Sequence, residues 1–179
     1  KGVYYSHRGI YLHTLVEAAQ LKMGDDDTVM VITPMFHGQG WGLPQSAIYS
    51  AAKVVLPGRY TAEDTSVLVD AMISESVTVA NGAPAIFEPM LDYIRTLKTR
   101  PDFSRARLLS GATEPSLTLM RGFHDLTGAD TIHAYGATET TPLVTVNAGL
   151  KHTLRDVLSE KEKWDLKRAQ GLLVNGIDI

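Results

Sequence analysis

The sequence has no cysteine at any of its 179 positions. That excludes a disulfide framework, a thiolate nucleophile and a cysteine-type zinc site. No apolar run approaches the ~20 residues needed to span a bilayer. No signal peptide opens the chain, so a cytoplasmic protein is the default expectation. No basic stripe is visible and the formal net charge is -3, which argues against nucleic acid as the main partner. No Gly-x-Gly-x-x-Gly follows a strand, so the dinucleotide fingerprint is missing. Gly-x-Ser-x-Gly is also missing, so Ser110 is not a hydrolase nucleophile. Internal repeats and low-complexity segments are absent. The chain opens at Lys1 without an initiator Met and closes at Gly176-Ile-Asp-Ile179, inside what reads as a strand. Neither end carries a polar, Gly/Pro-rich tail, so both read as cut.

What remains is an ordinary globular composition, with 44% hydrophobic and 21% charged residues. The length suffices for one domain with a proper core. Helical spacing of Ile10, Leu12, Leu15, Val16, Ala19 and Leu21 predicts a helix over 8–22. A β-branched apolar run predicts a strand over 28–33. A Gly-rich loop over 34–42, a helix over 43–51 and a strand over 53–56 follow, the last broken by Pro57-Gly58. Thr61 and Asp64 read as the N-terminal cap of a helix reaching about Glu75. A third strand over 77–80 leads into an Asn81–Pro84 turn. The helix over 85–98 presents Ile86, Met90, Leu91 and Ile94 on one side. A fourth strand over 107–109, a Ser110–Thr113 turn, a helix ending near Leu126 and a fifth strand over 131–135 complete the alternation. Ser159-Glu-Lys-Glu162 is a capping box for a short charged helix held by Trp164. Alternating strands and helices predict an α/β fold: a mainly parallel β-sheet flanked by helices, with right-handed crossovers. Ligands bind such sheets at the carboxyl ends of the strands. The turns 34–41, 81–84, 110–113 and 136–141 all fall there.

Tyr135-Gly-Ala-Thr-Glu-Thr-Thr-Pro142 holds the most explicit chemistry. Two hydroxyls, Thr138 and Thr140, flank the carboxylate of Glu139. Mg²⁺ favours few carboxylates together with phosphate oxygens and water. Thr138 can hydrogen-bond a phosphate, Glu139 can hold the metal, and Tyr135 can offer its ring face to a base. The same residues also fit a plain strand-to-loop turn with an exposed glutamate. His37 follows a strand end at the ligand-binding edge, where it can be a structural or a positioning residue. Trp41, four residues on, can be a core side chain or part of a site. His7, His13, His124, His133 and His152 show no metal-ligand spacing.

Tyr135–Pro142 resembles the signature of the adenylate-forming superfamily, which comprises acyl-CoA synthetases, peptide-synthetase adenylation domains and luciferases. Lys1-Gly-Val3 resembles the end of that family's Gly-rich phosphate loop, whose earlier Gly/Ser/Thr stretch is not in this sequence. Pro34-Met-Phe-His37 resembles its Pro-hydrophobic-Phe-His element, and Phe36–Pro44 with Trp41 resembles the long- and medium-chain fatty acyl-CoA synthetases. Asn81-Gly-Ala-Pro84 resembles the turn lining the acyl pocket. Ser110-Gly-Ala-Thr113 resembles the turn whose backbone lies along adenine. The segment from His152 to Ile179 resembles the stretch after the signature, although Gly171–Gly176 lacks the family's two prolines. The likeness runs in order over essentially the whole chain.

The resemblance implies an internal piece of the large N-terminal AMP-binding domain, with the start of the phosphate loop, the hinge and the C-terminal domain absent. It implies a fatty acid–CoA ligase that uses ATP, Mg²⁺ and CoA, first making acyl-AMP and then a thioester. The implied nucleotide-binding residues are Lys1, Gly111, Ala112, Thr113, Tyr135, Gly136, Ala137 and Thr138. Glu139 is the implied metal ligand. Thr138, Glu139 and His37 are the implied catalytic set. His37, Trp41, Asn81, Gly82, Ala83 and Pro84 are implied at the acyl and CoA pocket, with Trp41 as its gate. The implied partners are the small-molecule substrates, with room for a homodimer and for peripheral membrane contact. An aryl-CoA ligase or other adenylating enzyme is the alternative, as is a noncatalytic binding module that keeps the fold.

Overall fold

The computed structural model describes residues 2–177. Seven strands form one sheet in the order β2-β1-β3-β4-β5-β6-β7. The first five are β1 (Thr28–Met30), β2 (Lys53–Val55), β3 (Val79–Gly82), β4 (Arg107–Ser110) and β5 (Asp130–Gly136). They pair in parallel. β6 (Leu143–Val146) and β7 (Leu172–Leu173) extend the sheet antiparallel. The two antiparallel strands are additions to the expected parallel set. Lys1, the expected phosphate-loop lysine, lies outside the described residues, as do the last two residues of the expected terminal strand. Gly176 instead sits in a turn with φ +87°.

Side chains alternate across the sheet, as a strand's two-residue period requires. Met30, Ile32, Ala80 and Leu108 join one core. Val29, Val31, Val79 and Leu109 join the other. The first core is covered by α3 (Ser66–Ser74), α4 (Pro84–Thr96) and α5 (Leu117–Thr127). There Phe87 and Phe123 meet edge to face at 5.9 Å and 78°, the geometry that aromatic quadrupoles favour. Pro84 stands at the first turn of α4, where a missing N–H costs nothing. Gly128 ends α5 in the left-handed conformation.

The second core is covered by α1 (His7–Gln20) and α2 (Gly38–Tyr49). Ser6 caps α1 by accepting the Gly9 N–H at 3.0 Å. The predicted helix is present, but its buried face differs from the expected one. His13, Thr14, Glu17 and Ala18 are buried, whereas Tyr11 and Leu12 are exposed. Helix α2 begins five residues before its expected start and absorbs Gly38, Gly40 and Gly42. Tertiary packing overrides the poor helix propensity of glycine there. A Cβ on Gly40 would lie 2.4 Å from the Thr33 carbonyl oxygen, and one on Gly42 would lie 2.2 Å from His13 Cε1. β3 also starts later than expected and runs through Asn81 and Gly82, so the predicted Asn81–Pro84 turn is the end of a strand and the start of α4.

The amino-terminal edge of the sheet is pinned by buried Asp27. Its carboxylate accepts hydrogen bonds from Gly24 N–H at 2.9 Å and Thr78 Oγ1 at 2.6 Å, and it pairs with Arg107. These contacts join the entries to β1, β3 and β4, while the carboxyl edge is free to form a site. The tail folds back beside β5. After α6 (His152–Arg155), helix α7 (Glu160–Lys167) carries the expected capping box. Ser159 Oγ accepts from Glu162 N–H, and Glu162 accepts from Ser159 N–H. Trp164 packs edge-on against His124 and under Arg121 and Lys167. Asn147 Nδ2 caps the end of α7 through the carbonyls of Leu166, Lys167 and Ala169.

Candidate functional site

β4 and β5 deliver Ser110 and Gly136 to the carboxyl edge of the sheet. A cavity opens there, walled by Gly111, Ala112 and the run Ala134–Thr138 on the sheet side and by His37, Gly38 and Gln39 at the start of α2. Leu109, Pro142 and Leu143 complete the apolar part, and His13 and Glu17 of α1 reach the cavity from below.

The signature forms a tight hairpin between β5 and β6. A short 3-10 turn spans Thr138–Thr140. The backbone N–H of Ala137 donates to Thr140 Oγ1 at 3.0 Å, and Thr140 Oγ1 donates to the Pro142 carbonyl at 2.6 Å. Thr140 is therefore occupied in holding the turn. Among the described residues, the Thr138 hydroxyl is in no such bond and faces the cavity beside Gly38. Glu139 is exposed at the turn's apex. Tyr135 is 46% exposed on the cavity wall, its ring free to receive a planar group. Gly136 has no substitute: a Cβ would lie 2.1 Å from the Pro142 carbonyl oxygen. Ala112, on the same wall, holds φ +69°. A non-glycine residue in that region stores strain, a condition common beside ligand sites.

His37 is the N-cap of α2. Its Nδ1 accepts the Gln39 N–H at 3.3 Å. A neutral ring so held carries its hydrogen on Nε2, a donor suited to a carboxylate or phosphoryl oxygen. Gln39 Nε2 donates to the Gly82 carbonyl at 2.8 Å. Buried Asn81 accepts from Ile32 N–H at 3.0 Å and donates to the Gln39 carbonyl at 2.7 Å. Asn81 and Gly82 thus hold Gln39 of α2, and none of Asn81, Gly82, Ala83 and Pro84 lines this cavity. Thr113 is exposed outside the cavity. Trp41 is half-buried, stacked on Tyr5 at 4.9 Å and tilted against His13 at 5.4 Å. Tyr5 in turn donates its hydroxyl to the Thr138 carbonyl at 2.7 Å.

Among the cavity residues outside the set read from sequence, three carry polar side chains: His13, Glu17 and Gln39. Glu17 is 3% exposed, and Ser46 Oγ donates to its Oε2 at 2.7 Å. Burial pushes the Glu17 carboxyl up to about 7, partly offset by the Ser46 bond. His13 is 7% exposed, and burial holds its imidazole down to about 4. Both ring nitrogens of His13 are buried without a hydrogen-bond partner. The signal available beforehand was a pair of ionisable residues at i and i+4 within an apolar stretch, which places both on one helix face.

Among the described residues, no three His, Cys, Asp or Glu side chains gather as a metal cage. No helix among them is long and apolar enough to cross a membrane.

The profile of the family described as AMP-binding enzyme matches residues 1–179. The chain is 35% identical to a medium-chain-fatty-acid–CoA ligase of Ectopseudomonas oleovorans over 100% of its own length and 32% of that protein. It is 36% identical to a long-chain-fatty-acid–CoA ligase of Thermus thermophilus, covering 96% of this chain and 31% of that one. The chain therefore spans about a third of the length of the curated relatives it matches. Its fold superposes on a long-chain-fatty-acid–CoA ligase structure from Archaeoglobus fulgidus with a TM-score of 0.78 at 20% identity, covering 97% of this chain and 34% of that one.

Proposed function

Since the chain belongs to the AMP-binding enzyme family, we propose that the protein carrying it is a fatty acid–CoA ligase. It couples ATP cleavage to thioester formation with CoA, a reading that its relatives' names as fatty-acid–CoA ligases support. The observation that carries this reading is the placement of Tyr135–Thr138 on one cavity wall, opposite His37 and beside Gly111 and Ala112.

In this reading the acid carboxylate attacks the α-phosphorus of ATP, forming acyl-AMP and releasing pyrophosphate. The CoA thiol then attacks the acyl carbonyl and releases AMP. Tyr135 takes the adenine on its exposed face, with Gly111, Ala112, Gly136 and Ala137 allowing close backbone approach. The Thr138 hydroxyl, free of the turn's own bonds, donates to the α-phosphate. His37 directs Nε2–H toward the carboxylate, which aligns the nucleophile. Trp41, braced between Tyr5 and His13, gates the acyl entrance. Lys1 and Thr113 belong to the nucleotide's surroundings, and Asn81–Pro84 support the acyl side. Glu139 fits Mg²⁺: a single exposed carboxylate next to a phosphate site leaves the other ligands to phosphate oxygens and water. When bound, the ion neutralises charge on the phosphates.

The chain is the adenine- and metal-binding part of the larger N-terminal domain, and by itself it does not form acyl-AMP. In this reading the enzyme is cytoplasmic, with peripheral membrane contact. The test is acid-dependent exchange of labelled pyrophosphate into ATP, followed by CoA thioester formation, in the full-length protein. Exchange that requires a carboxylic acid supports the reading. Absence of exchange with every acid, or robust exchange by the isolated chain, contradicts it or its account of the chain's share.

A further inference from the structure

The tail returns to the sheet at Arg168, the C-cap of α7. Its two ends grip two different segments. The backbone carbonyl accepts the Nδ1–H of buried His133 at 2.9 Å. A carbonyl only accepts, so that ring nitrogen must carry the hydrogen. The guanidinium reaches Glu114 Oε1 from Nε at 3.0 Å and from Nη2 at 2.9 Å. His133 stands two residues before Tyr135 on β5, so both project from one face of the strand. Glu114 directly follows the Gly111–Thr113 turn. The main chain at Arg168 is itself fixed. Lys167 pairs with Asp130 and donates to the Thr131 carbonyl at 3.2 Å, and Asn147 holds the carbonyls on either side.

The turn needs such a hold. Ala112 sits at φ +69°, and a strained residue keeps such a conformation only where its surroundings over-determine it. Before the strained residue, Gly111 N–H donates to the Gly82 carbonyl at 3.2 Å. From Ala112 to Glu114, no backbone–backbone hydrogen bond forms among the described residues. The polar tie on that side is the Glu114–Arg168 pair. We propose that Arg168 is a positioning residue for the adenine site, fixing the Gly111–Thr113 turn against the part of β5 that carries Tyr135. This rests on the ligase reading above, which gives those two segments to the base. The pair is about half exposed on both sides, so its contribution to folding is small. Its effect is on the turn: ordering it before ATP arrives lowers the entropy lost on binding. A lysine lacks the planar fork that lets two guanidinium nitrogens share one oxygen.

The experiment measures acid-dependent exchange of labelled pyrophosphate into ATP by the full-length enzyme. Arg168→Ala is expected to raise KM for ATP about fivefold, the upper range for an exposed pair. The rate at saturating ATP should hold, because adenine does not react and its contacts bind ground and transition states alike. KM for the acid and the urea unfolding midpoint should also hold. Glu114→Ala should reproduce the change, and Arg168→Glu combined with Glu114→Arg should reverse it. The gap between wild type and Arg168→Ala should close at ~1 M salt, where the screening length falls to ~3 Å. An unchanged KM for ATP in both single variants overturns the inference, as does a rise in Arg168→Ala that Glu114→Ala does not share. A KM change that tracks a lowered unfolding midpoint, and that the swapped pair does not rescue, also overturns it. Should Arg168→Ala fail to fold, Glu114→Ala and the swapped pair decide the matter. Wild type without exchange for any acid contradicts the ligase reading itself, whereas exchange with an indifferent Arg168 contradicts only the positioning role.

Discussion

On one face of the sheet, α3, α4 and α5 bury Leu68, Met72, Phe87, Met90, Ile94 and Phe123 against Ala80 and Leu108. On the other, α1 buries His13, Thr14 and Glu17, and α2 buries Gly40, Gly42 and Ser46. Both faces exclude water, but by different means. The first uses large apolar side chains that fill space. The second brings backbones close through glycine and leaves ionisable groups beside a cavity. Side chains that fill an apolar core and side chains that border the cavity thus lie on opposite sides of the same strands. Substitutions on the two faces should then fail differently.

Phe87→Ala should show the largest effect on folding. It removes a fully buried ring and its contact with Phe123, a loss of about 3–5 kcal/mol in urea unfolding. KM for ATP in the remaining folded enzyme should stay near wild type. A large KM change would break the contrast between the faces. Glu139→Gln is the converse. Its side chain is exposed, so stability should move by less than about 0.5 kcal/mol, while the rate of adenylation in the full-length enzyme drops about 10²–10³-fold. Unchanged Mg²⁺-ATP kinetics would remove Glu139 from its proposed role.

The first of these predictions depends on a face that is legible in the periodicity of the sequence. Met90, Leu91 and Ile94 recur at helical spacing along α4, and all three are buried. The order of the five parallel strands and the helices between them was equally plain, because apolar β-branched runs alternate with longer amphipathic ones. The other face was less legible. Along α1, the apolar residues Leu12 and Ala19 point outward, and the buried positions are partly polar, so periodicity alone selects the wrong side. The start of α2 read as loop because three glycines carry a helix penalty that only the contacts of Gly40 and Gly42 explain. β6 is four residues long and antiparallel, with no helical crossover to announce it. Tyr135–Thr138 and His37 were identifiable from the motif, and the structure brings them to one cavity. Glu17 was not, since a lone glutamate in a helix normally faces solvent.

Glu17 offers a finer test of the contrast. Its carboxyl is raised from 4.5 to about 7 by burial. Between those values the folded chain holds a proton that the unfolded chain has released, so stability falls as pH rises through that window. Glu17→Gln removes this dependence. The variant should be more stable than wild type above pH 7 by up to about 3 kcal/mol, with the difference closing below pH 4.5. His13, lowered from 6.5 to about 4, acts in the opposite sense and removes stability as pH falls from 6.5 to 4. It does so in both proteins and cancels from the comparison. A pH-independent difference in chemical unfolding would mean that Glu17 is not held in a dry setting.

The smallest expected change is at Ala112. Its φ of +69° suits glycine, and Ala112→Gly should stabilise the chain by about 1 kcal/mol as measured by thermal unfolding. A loss of stability would show that the Ala112 methyl does more at the cavity wall than tolerate a strained backbone.

The Tyr5 hydroxyl, bonded to the Thr138 carbonyl while its ring lies on Trp41, makes a short mechanical linkage. The segment leading into α1, the first turns of α2 and the signature hairpin are yoked at one side chain. The tie bypasses the sheet, since both contacts are made by Tyr5 itself. Tyr5→Phe would cut that tie-rod while leaving the stacked ring, and so separate the motion of the hairpin from that of its neighbours.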